Sequence, residues 1–331
     1  MSKRDDMIAA LEKRQPEGAV PVWEIEFQAW DAVSGRHVVL GEEFAGMSQA
    51  KQERALAENA DILLQICEEM HYAALCPPGG YWEIAPGVPS YYWLPSEVRL
   101  RQIEIIRDLA PPDLVLVGGT GGVMAMPGAE NYVSFAYLIH DSPEEVEAMA
   151  ERTLQAGLQT VKRFQDMGFE IVMTASDVAD NHGTYMHRKQ MDRFVWPYLR
   201  RWAAAVKEMG LYSIIHSDGN LTDSLDAIAG SGVDALQAID PTAGMDMYEA
   251  KRQVAGRLCL CGNINCGLLL TATPEEVFEA TRDMLERCKT GGGLVLGASN
   301  AVQPEVPAEN YRAMIQAWHM YGQYPEQVEK E

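Results

Sequence analysis

The stretch Leu211-Tyr-Ser-Ile-Ile-His216-Ser217-Asp218-Gly219-Asn220 is an apolar run that breaks into a polar cluster, after which Leu221 to Ala229 resumes a helix-like apolar pattern. Its Ile214-Ile215 centre, bounded by Gly210 and Gly219, predicts a buried strand that delivers side chains at its C-terminal end. His216 and Asp218 lie two positions apart, so on extended backbone both point to the same side. A histidine and a carboxylate so placed can bind a metal ion, relay a proton or hold an anion. The ordinary reading of the same residues is a turn that caps the next helix.

The same strand-then-helix unit recurs along the chain. β-rich or apolar runs lie at Val20–Phe27, Tyr72–Leu75, Asp113–Val117, Glu170–Thr174, the run ending at His216, Val233–Ile239, Leu258–Cys261 and Leu294–Leu296. Between them, helical patterns cover about Ser48–Met70 (Leu56, Ile62, Leu63 and Ile66 on one face), Pro95–Leu109, Val133–Ile139, Ser142–Met167 and Arg188–Met209, with a further helix at Asp5–Lys13. Eight such units predict an α/β fold in which residues 1–331 form a single (β/α)8 TIM-type barrel with an N-terminal helical extension. The rival is a doubly wound open sheet. No G-x-G-x-x-G follows the first strand, which weakens a dinucleotide fold.

Composition narrows the partners. The chain has 331 residues, 47% of them hydrophobic, and 48 acidic residues against 27 basic ones give a net charge of −21. That balance argues against nucleic acid and against anionic membrane surfaces. Six cysteines show no disulfide-framework spacing, and the opening Met-Ser-Lys-Arg-Asp-Asp lacks the apolar core of an export signal. A cytoplasmic, reduced protein is expected. No apolar run approaches the roughly 18 residues of a membrane span.

In a barrel, chemistry sits just beyond the strand ends. Those positions hold Glu24 and Glu26, Gly119 and Thr120, Asp177, His216 and Asp218, Asp240, Asn263, Asn265 and Cys266, then Ser299 and Asn300. Any one of them can be a helix cap, yet together they describe an acidic, oxygen-rich ring around a single histidine. After the second strand, the segment from Tyr81 and Trp82 to Tyr91, Tyr92 and Trp93 packs five aromatics into thirteen residues. These could stack on a planar ligand or pack a subunit interface, and a homodimer is a candidate assembly. Trp23, Phe27, Trp30, Met124 and Met126 could extend the same apolar wall, although such residues more often form core. The Gly118–Gly122 cluster lacks the Lys-Ser/Thr of a phosphate loop, so a close backbone approach to a bulky ligand is expected of it instead.

Several motifs in order resemble those of the uroporphyrinogen decarboxylase superfamily, which includes porphyrinogen decarboxylases and cobalamin-dependent methyltransferases. His216-Ser-Asp-Gly219 resembles the family's strand-five histidine motif, and Gly262-Asn-Ile-Asn265 its G-N-I-D. Thr273-Pro-Glu-Glu-Val277 resembles the helix start that follows, Gly291-Gly-Gly-Leu-Val-Leu296 the eighth strand, and Val306-Pro-Ala-Glu-Asn310 the closing P-x-E-N. Gly35-Arg36 resembles the end of an R-x-x-G-R element. The resemblance covers nearly the whole chain and implies a TIM-type barrel.

Departures from the pattern point to a branch. The decarboxylases use a pair of arginines in the N-terminal element to grip substrate carboxylates, and here the earlier position holds Ala32, leaving Arg36 alone. Thiol-methylating relatives carry H-x-C after strand five and a cysteine after strand eight as a zinc site, where this chain has His216-Ser-Asp218 and Ser299. Replacing thiolate by carboxylate leaves a harder ion suited to polarising an oxygen. The resemblance therefore implies an enzyme that demethylates a methoxylated, aromatic substrate and passes the methyl group to the cobalt(I) of a corrinoid (cobalamin) carried by a separate protein. In that reading His216 and Asp218 bind a metal, zinc being the candidate, or form an acid relay, with Glu26 and Asp177 completing the catalytic set. Trp23, Tyr81, Trp82, Asn265, Asn300 and Arg36 are the expected substrate-binding residues. Cys261 and Cys266 stay open as sulfur ligands or buried structural thiols. The alternatives are methyl transfer from a methylcorrinoid to an acceptor, porphyrinogen decarboxylation, or a non-catalytic tetrapyrrole-binding barrel.

Overall fold

The computed structural model describes residues 2–77, 94 and 96–325. Among them nine strands occur: β1 Ala74–Leu75, β2 Val115–Gly119, β3 Ile171–Ala175, β4 Ala179–Asp180, β5 Gly183–Thr184, β6 Tyr212–His216, β7 Ala235–Gln237, β8 Cys259–Ile264 and β9 Leu294–Ala298. β4 and β5 pair antiparallel as a small hairpin that the sequence pattern did not reveal. The other seven form one parallel sheet in chain order, β1-β2-β3-β6-β7-β8-β9. Each parallel return crosses over through helix, as parallel pairing demands.

The eighth stave is the segment expected over Val20–Phe27, and only isolated bridges remain of it. Val22 bridges in parallel to Tyr72, just ahead of β1, and to Leu296 in β9. Its neighbours complete the join: Trp23 N donates to Leu296 O, Leu296 N to Pro21 O and Ala73 N to Val22 O, each at 2.9 Å. The two ends of the seven-stranded sheet thus meet on one residue and the sheet closes as a TIM-type barrel. Pro21 has no N–H to give, so a regular ladder cannot run through this segment.

Period-two alternation separates the two cores. Val115, Val117, Ile171, Met173, Ile214, Cys259, Cys261 and Val295 share one buried cluster inside the barrel. Leu116, Val172, Ile215, Leu236, Leu260 and Leu294 belong to the second, packed with the surrounding helices. The N-terminal helix Lys3–Leu11, capped by Ser2, sends Met7, Ala10 and Leu11 into the inner cluster. That helix stoppers the barrel, so the strand C-terminal ends are left to carry the chemistry.

Two expectations change in detail. The helix expected over Arg188–Met209 is two helices, Arg188–Phe194 and Trp196–Glu208, because Pro197 cannot donate the hydrogen bond that would join them. Within the Gly118–Gly122 cluster, Gly118 and Gly122 serve packing, against Phe164 and Trp202. A Cβ on Gly157, in the helix Pro143–Asp166, would lie 2.3 Å from the Cα of Gly122, so the helix meets this loop backbone to backbone. Among the described residues no helix is long and apolar enough to cross a membrane.

Candidate active site

β3, β6 and β7 lie side by side, and their register sets His216 opposite Ala175 on one flank and Gln237 on the other. The His216 side chain is 8% exposed. Its Nδ1 meets the side-chain oxygen Oε1 of Gln237. The amide nitrogen of Gln237 is committed elsewhere, to the carbonyls of Ala298 and Ser299 at 3.3 Å each, so its oxygen must face the histidine. An amide oxygen only accepts, so Nδ1 donates to it and Nε2 is the ring nitrogen turned toward the site.

Nε2 faces two carboxylates. Nε2 lies 3.5 Å from Asp177 Oδ1 and 3.9 Å from Asp218 Oδ1. Asp177 follows β3 as Asp218 follows β6, and the Asp218 backbone N–H donates to Asp177 Oδ1 at 3.1 Å, which locks the two exits together. Asn300, beyond β9, donates its amide to Asp218 Oδ2 and steadies it from the far side. Asp218 Oδ1 is buried and has no hydrogen-bond partner among the described residues. Burial pushes the Asp218 carboxyl up to about 6; His216 and the Asn300 hydrogen bond pull it down, while Asp177 and Asp240 add to the rise.

One ligand atom from each of Asp177, His216 and Asp218 lies within 4.8 Å of the others. A tetrahedral ion with bonds of roughly 2.1 Å separates its ligands by about 3.4 Å, close to the two spacings above. The donor set fits a divalent ion: one neutral imidazole nitrogen fixed by an outer hydrogen bond, two carboxylates, one of them with an orphaned buried oxygen, and a fourth position open. The same three groups would also serve as a proton relay.

Beside this cluster opens a cavity of about 600 Å³, in the size range of small-molecule sites. Its wall includes Asp180, Asp218 and Asp240 with Gln28, Thr242, Cys266, Ser299 and Asn300, and among the described residues it includes no Lys, Arg or His. Gly219 lets the wall form. At φ +88° it sits where a Cβ would lie 2.6 Å from Asp180 O, so the β6 exit packs directly on the hairpin.

The structure brings some expected residues together and separates others. His216, Asp218, Asp177 and Asn300 converge. Glu26 does not join them: it accepts a hydrogen bond from Gln28 Nε2 and lines a separate cavity of about 30 Å³ with Glu24, Phe27, Trp30 and Cys76. Asn265 caps the helix Cys266–Thr271, accepting from Leu268 N at 3.1 Å, and is absent from the cavity wall. Trp23, expected at a substrate wall, is 2% exposed and part of the inner barrel core, because its strand position faces inward. Arg36 is drawn to the surface, where its guanidinium holds Asp61 at 2.7 Å and Gln65 at 3.1 Å. Tyr81 and Trp82 lie outside the described residues. Cys261 is buried in the barrel core; Cys266 reaches the cavity wall, where its sulfur accepts from Asn300 N at 3.2 Å and burial pushes its thiol up to about 11.

Two residues with defined roles escaped the sequence reading. Gln237 was hidden inside a strand, although a glutamine in the run Ala235-Leu-Gln237-Ala-Ile239 is itself a signal that something buried needs its amide. Gln28 lies past the first strand segment and lines the cavity at 3% exposure.

Residues 97–321 match the family model described as uroporphyrinogen decarboxylase (URO-D). The chain belongs to the uroporphyrinogen decarboxylase family. The matched span holds the His216, Asp218 and Asn300 exits, and the family's closing P-x-E-N ends on Asn310, whose amide ties Leu269 O and Ala272 O. A uroporphyrinogen decarboxylase of Anaeromyxobacter dehalogenans is 26% identical over 227 residues, covering 66% of this chain and 62% of the relative. The methylcobamide:CoM methyltransferase MtaA of Methanosarcina barkeri is 23% identical over 225 residues, covering 67% and 63%. The matches thus span about three fifths of each of these curated relatives. A solved structure, a methyltransferase from Methanosarcina mazei, superposes with a TM-score of 0.70 at 19% identity over 97% of this chain and 99% of that one, which establishes the shared fold.

Proposed function

We propose that this chain is the demethylating component of a corrinoid-dependent O-demethylase, which takes the methyl group of a methoxylated, aromatic substrate and delivers it to a corrinoid on a separate protein. The observation that carries the reading is the presentation of His216 Nε2, by way of Gln237, to the carboxylates of Asp177 and Asp218. Asp177, His216 and Asp218 would hold a divalent ion, zinc in this reading, which would supply Lewis-acid chemistry for an ether oxygen, while a corrinoid on the partner protein would supply the nucleophile. The chain's own residues do the holding: Gln237 fixes the imidazole, Asn300 orients Asp218, and the β4–β5 hairpin walls one side of the cavity. The name of the Methanosarcina barkeri relative, which handles a methylcobamide, supports corrinoid chemistry.

Decarboxylation of a porphyrinogen fits less well. A substrate bearing many carboxylates would enter a cavity whose charged wall residues, among those described, are Asp180, Asp218 and Asp240, while Arg36 is engaged with Asp61 on the outer surface. The test is to incubate the protein with a reduced corrinoid protein and a panel of methoxybenzenes, following the cobalt(I) absorbance. Loss of that absorbance with a methoxylated donor is expected. No loss with any donor, together with decarboxylation of uroporphyrinogen, would overturn the proposal.

A further inference from the structure

The buried polar atoms of the cavity wall that are left without a partner among the described residues, Gln28 Oε1 and Asp218 Oδ1, are both acceptors. Gln28 is 3% exposed, and its Nε2 donates to Glu26 Oε1 at 2.7 Å. A carboxylate can only accept, so this bond fixes which way the amide faces. The opposite atom, Gln28 Oε1, is buried without a partner among the described residues, in a residue that lines the cavity. A buried carbonyl oxygen of this kind calls for a donor from the ligand.

The charge of the wall points the same way. Asp240 is satisfied by Gly219 N, Thr242 N and Thr242 Oγ1, and Asp180 by His182 N, all uncharged donors. Among the described residues neither carboxylate has a Lys or Arg partner within ion-pair distance. A divalent ion on Asp177, His216 and Asp218 would offset the charge of Asp177 and Asp218 and leave Asp180 and Asp240 uncompensated.

From the orphaned Gln28 oxygen together with this wall we infer that the substrate is a cation carrying N–H donors: a methoxylated arylalkyl amine of the benzylamine type in its ammonium form, rather than a methoxylated benzoate. The inference rests on the O-demethylase reading for the methoxy group, and on the cavity alone for the ammonium. An ammonium brings donors for Gln28 Oε1 and a positive charge for Asp180 and Asp240. A carboxylate brings neither and adds like charge to a wall that, among the described residues, holds no Lys, Arg or His.

Calorimetric titration of the zinc-loaded protein, without any corrinoid protein, tests this with three ligands of matched shape: meta-methoxybenzylamine, meta-methoxybenzyl alcohol and meta-methoxybenzoate. The amine is expected to bind about tenfold tighter than the alcohol, a difference of roughly 1.4 kcal/mol, with the benzoate weakest. Asp180→Asn keeps an oxygen for His182 N and removes the charge, so it should cut the amine-to-alcohol ratio about two- to fivefold. Gln28→Leu should weaken the amine and the alcohol together. Benzoate binding as tight as amine binding, an amine preference unmoved by Asp180→Asn, or no binding of any of the three would each overturn the inference. Methyl transfer to a corrinoid protein is scored separately. An amine preference without transfer would defeat the demethylase proposal alone, and transfer from the benzoate with no amine preference would defeat only the present inference.

Discussion

Gln237 Oε1 holds Nδ1 of His216 across neighbouring strands of the barrel, and through that one contact decides which ring nitrogen looks out at Asp177 and Asp218. An outer hydrogen bond of this kind raises ligand basicity and fixes ring orientation. Gln237→Leu is therefore expected to lower zinc affinity roughly 10–100-fold. Competition with a chromophoric chelator measures it; an unchanged affinity would show that the ring needs no such support.

His216 itself is expected to be indispensable for the ion. Zinc-loaded parent protein should carry one equivalent on this trio, and His216→Ala should lose it after dialysis while keeping its far-ultraviolet circular dichroism. Metal content equal to the parent's would remove His216 from the ligand set and leave the proton-relay role.

Glu24 predicts a pH dependence of stability. Its carboxyl is fully buried, accepts Ala298 N at 2.9 Å and meets Tyr311 Oη at 2.8 Å; burial pushes it from 4.5 up to about 8, with both hydrogen bonds opposing. Between those values the folded chain holds a proton that the unfolded chain has released. The stabilisation is complete below about 4.5 and is lost as pH rises toward 8, by about 1.4 kcal/mol per pH unit for one group. Glu24→Gln keeps the shape, one acceptor for Ala298 N and one donor for Tyr311, and should flatten this slope in urea titrations run from pH 5 to 8. A slope equal to the parent's would assign it to another group.

Gly219→Ala is expected to destabilise the fold by roughly 2–5 kcal/mol, from the left-handed backbone and the added clash. The methyl group would meet Asp180 O at 2.6 Å and Ala179 O at 2.7 Å, both backbone atoms with little room to move. The urea midpoint measures it, and a midpoint within error of the parent's would mean that the β4–β5 hairpin yields freely.

What could be read before the structure follows from which interactions are local. Apolar runs ending in polar clusters mark strand exits, so β2, β3, β6, β8 and β9 and the residues Asp177, His216 and Asp218 were legible from spacing. Asn265 and Asn300 looked alike in sequence, each just past a strand. Only the fold distinguishes them, by turning one into a helix cap and the other toward Asp218. Arg36 was misplaced for a similar reason, since its partner Asp61 lies 25 positions away on another helix. Trp23 read as a site aromatic because nothing local shows that the first segment turns it inward. Gln237 was lost to the opposite error, a polar side chain given no role because its surroundings were apolar.

The closure of the barrel on Val22 has a consequence for folding. A contact between a residue near the start of the chain and β9 near its end is among the most non-local the fold makes, and the entropy of so large a loop is spent before the contact rewards it. Until Val22 seats, β1 and β9 are open edges with unpaired backbone groups, the kind of surface that templates aggregation. Substitutions at Val22 or Pro21 should therefore show first as poor recovery during synthesis and refolding, and only afterwards as a weaker native state.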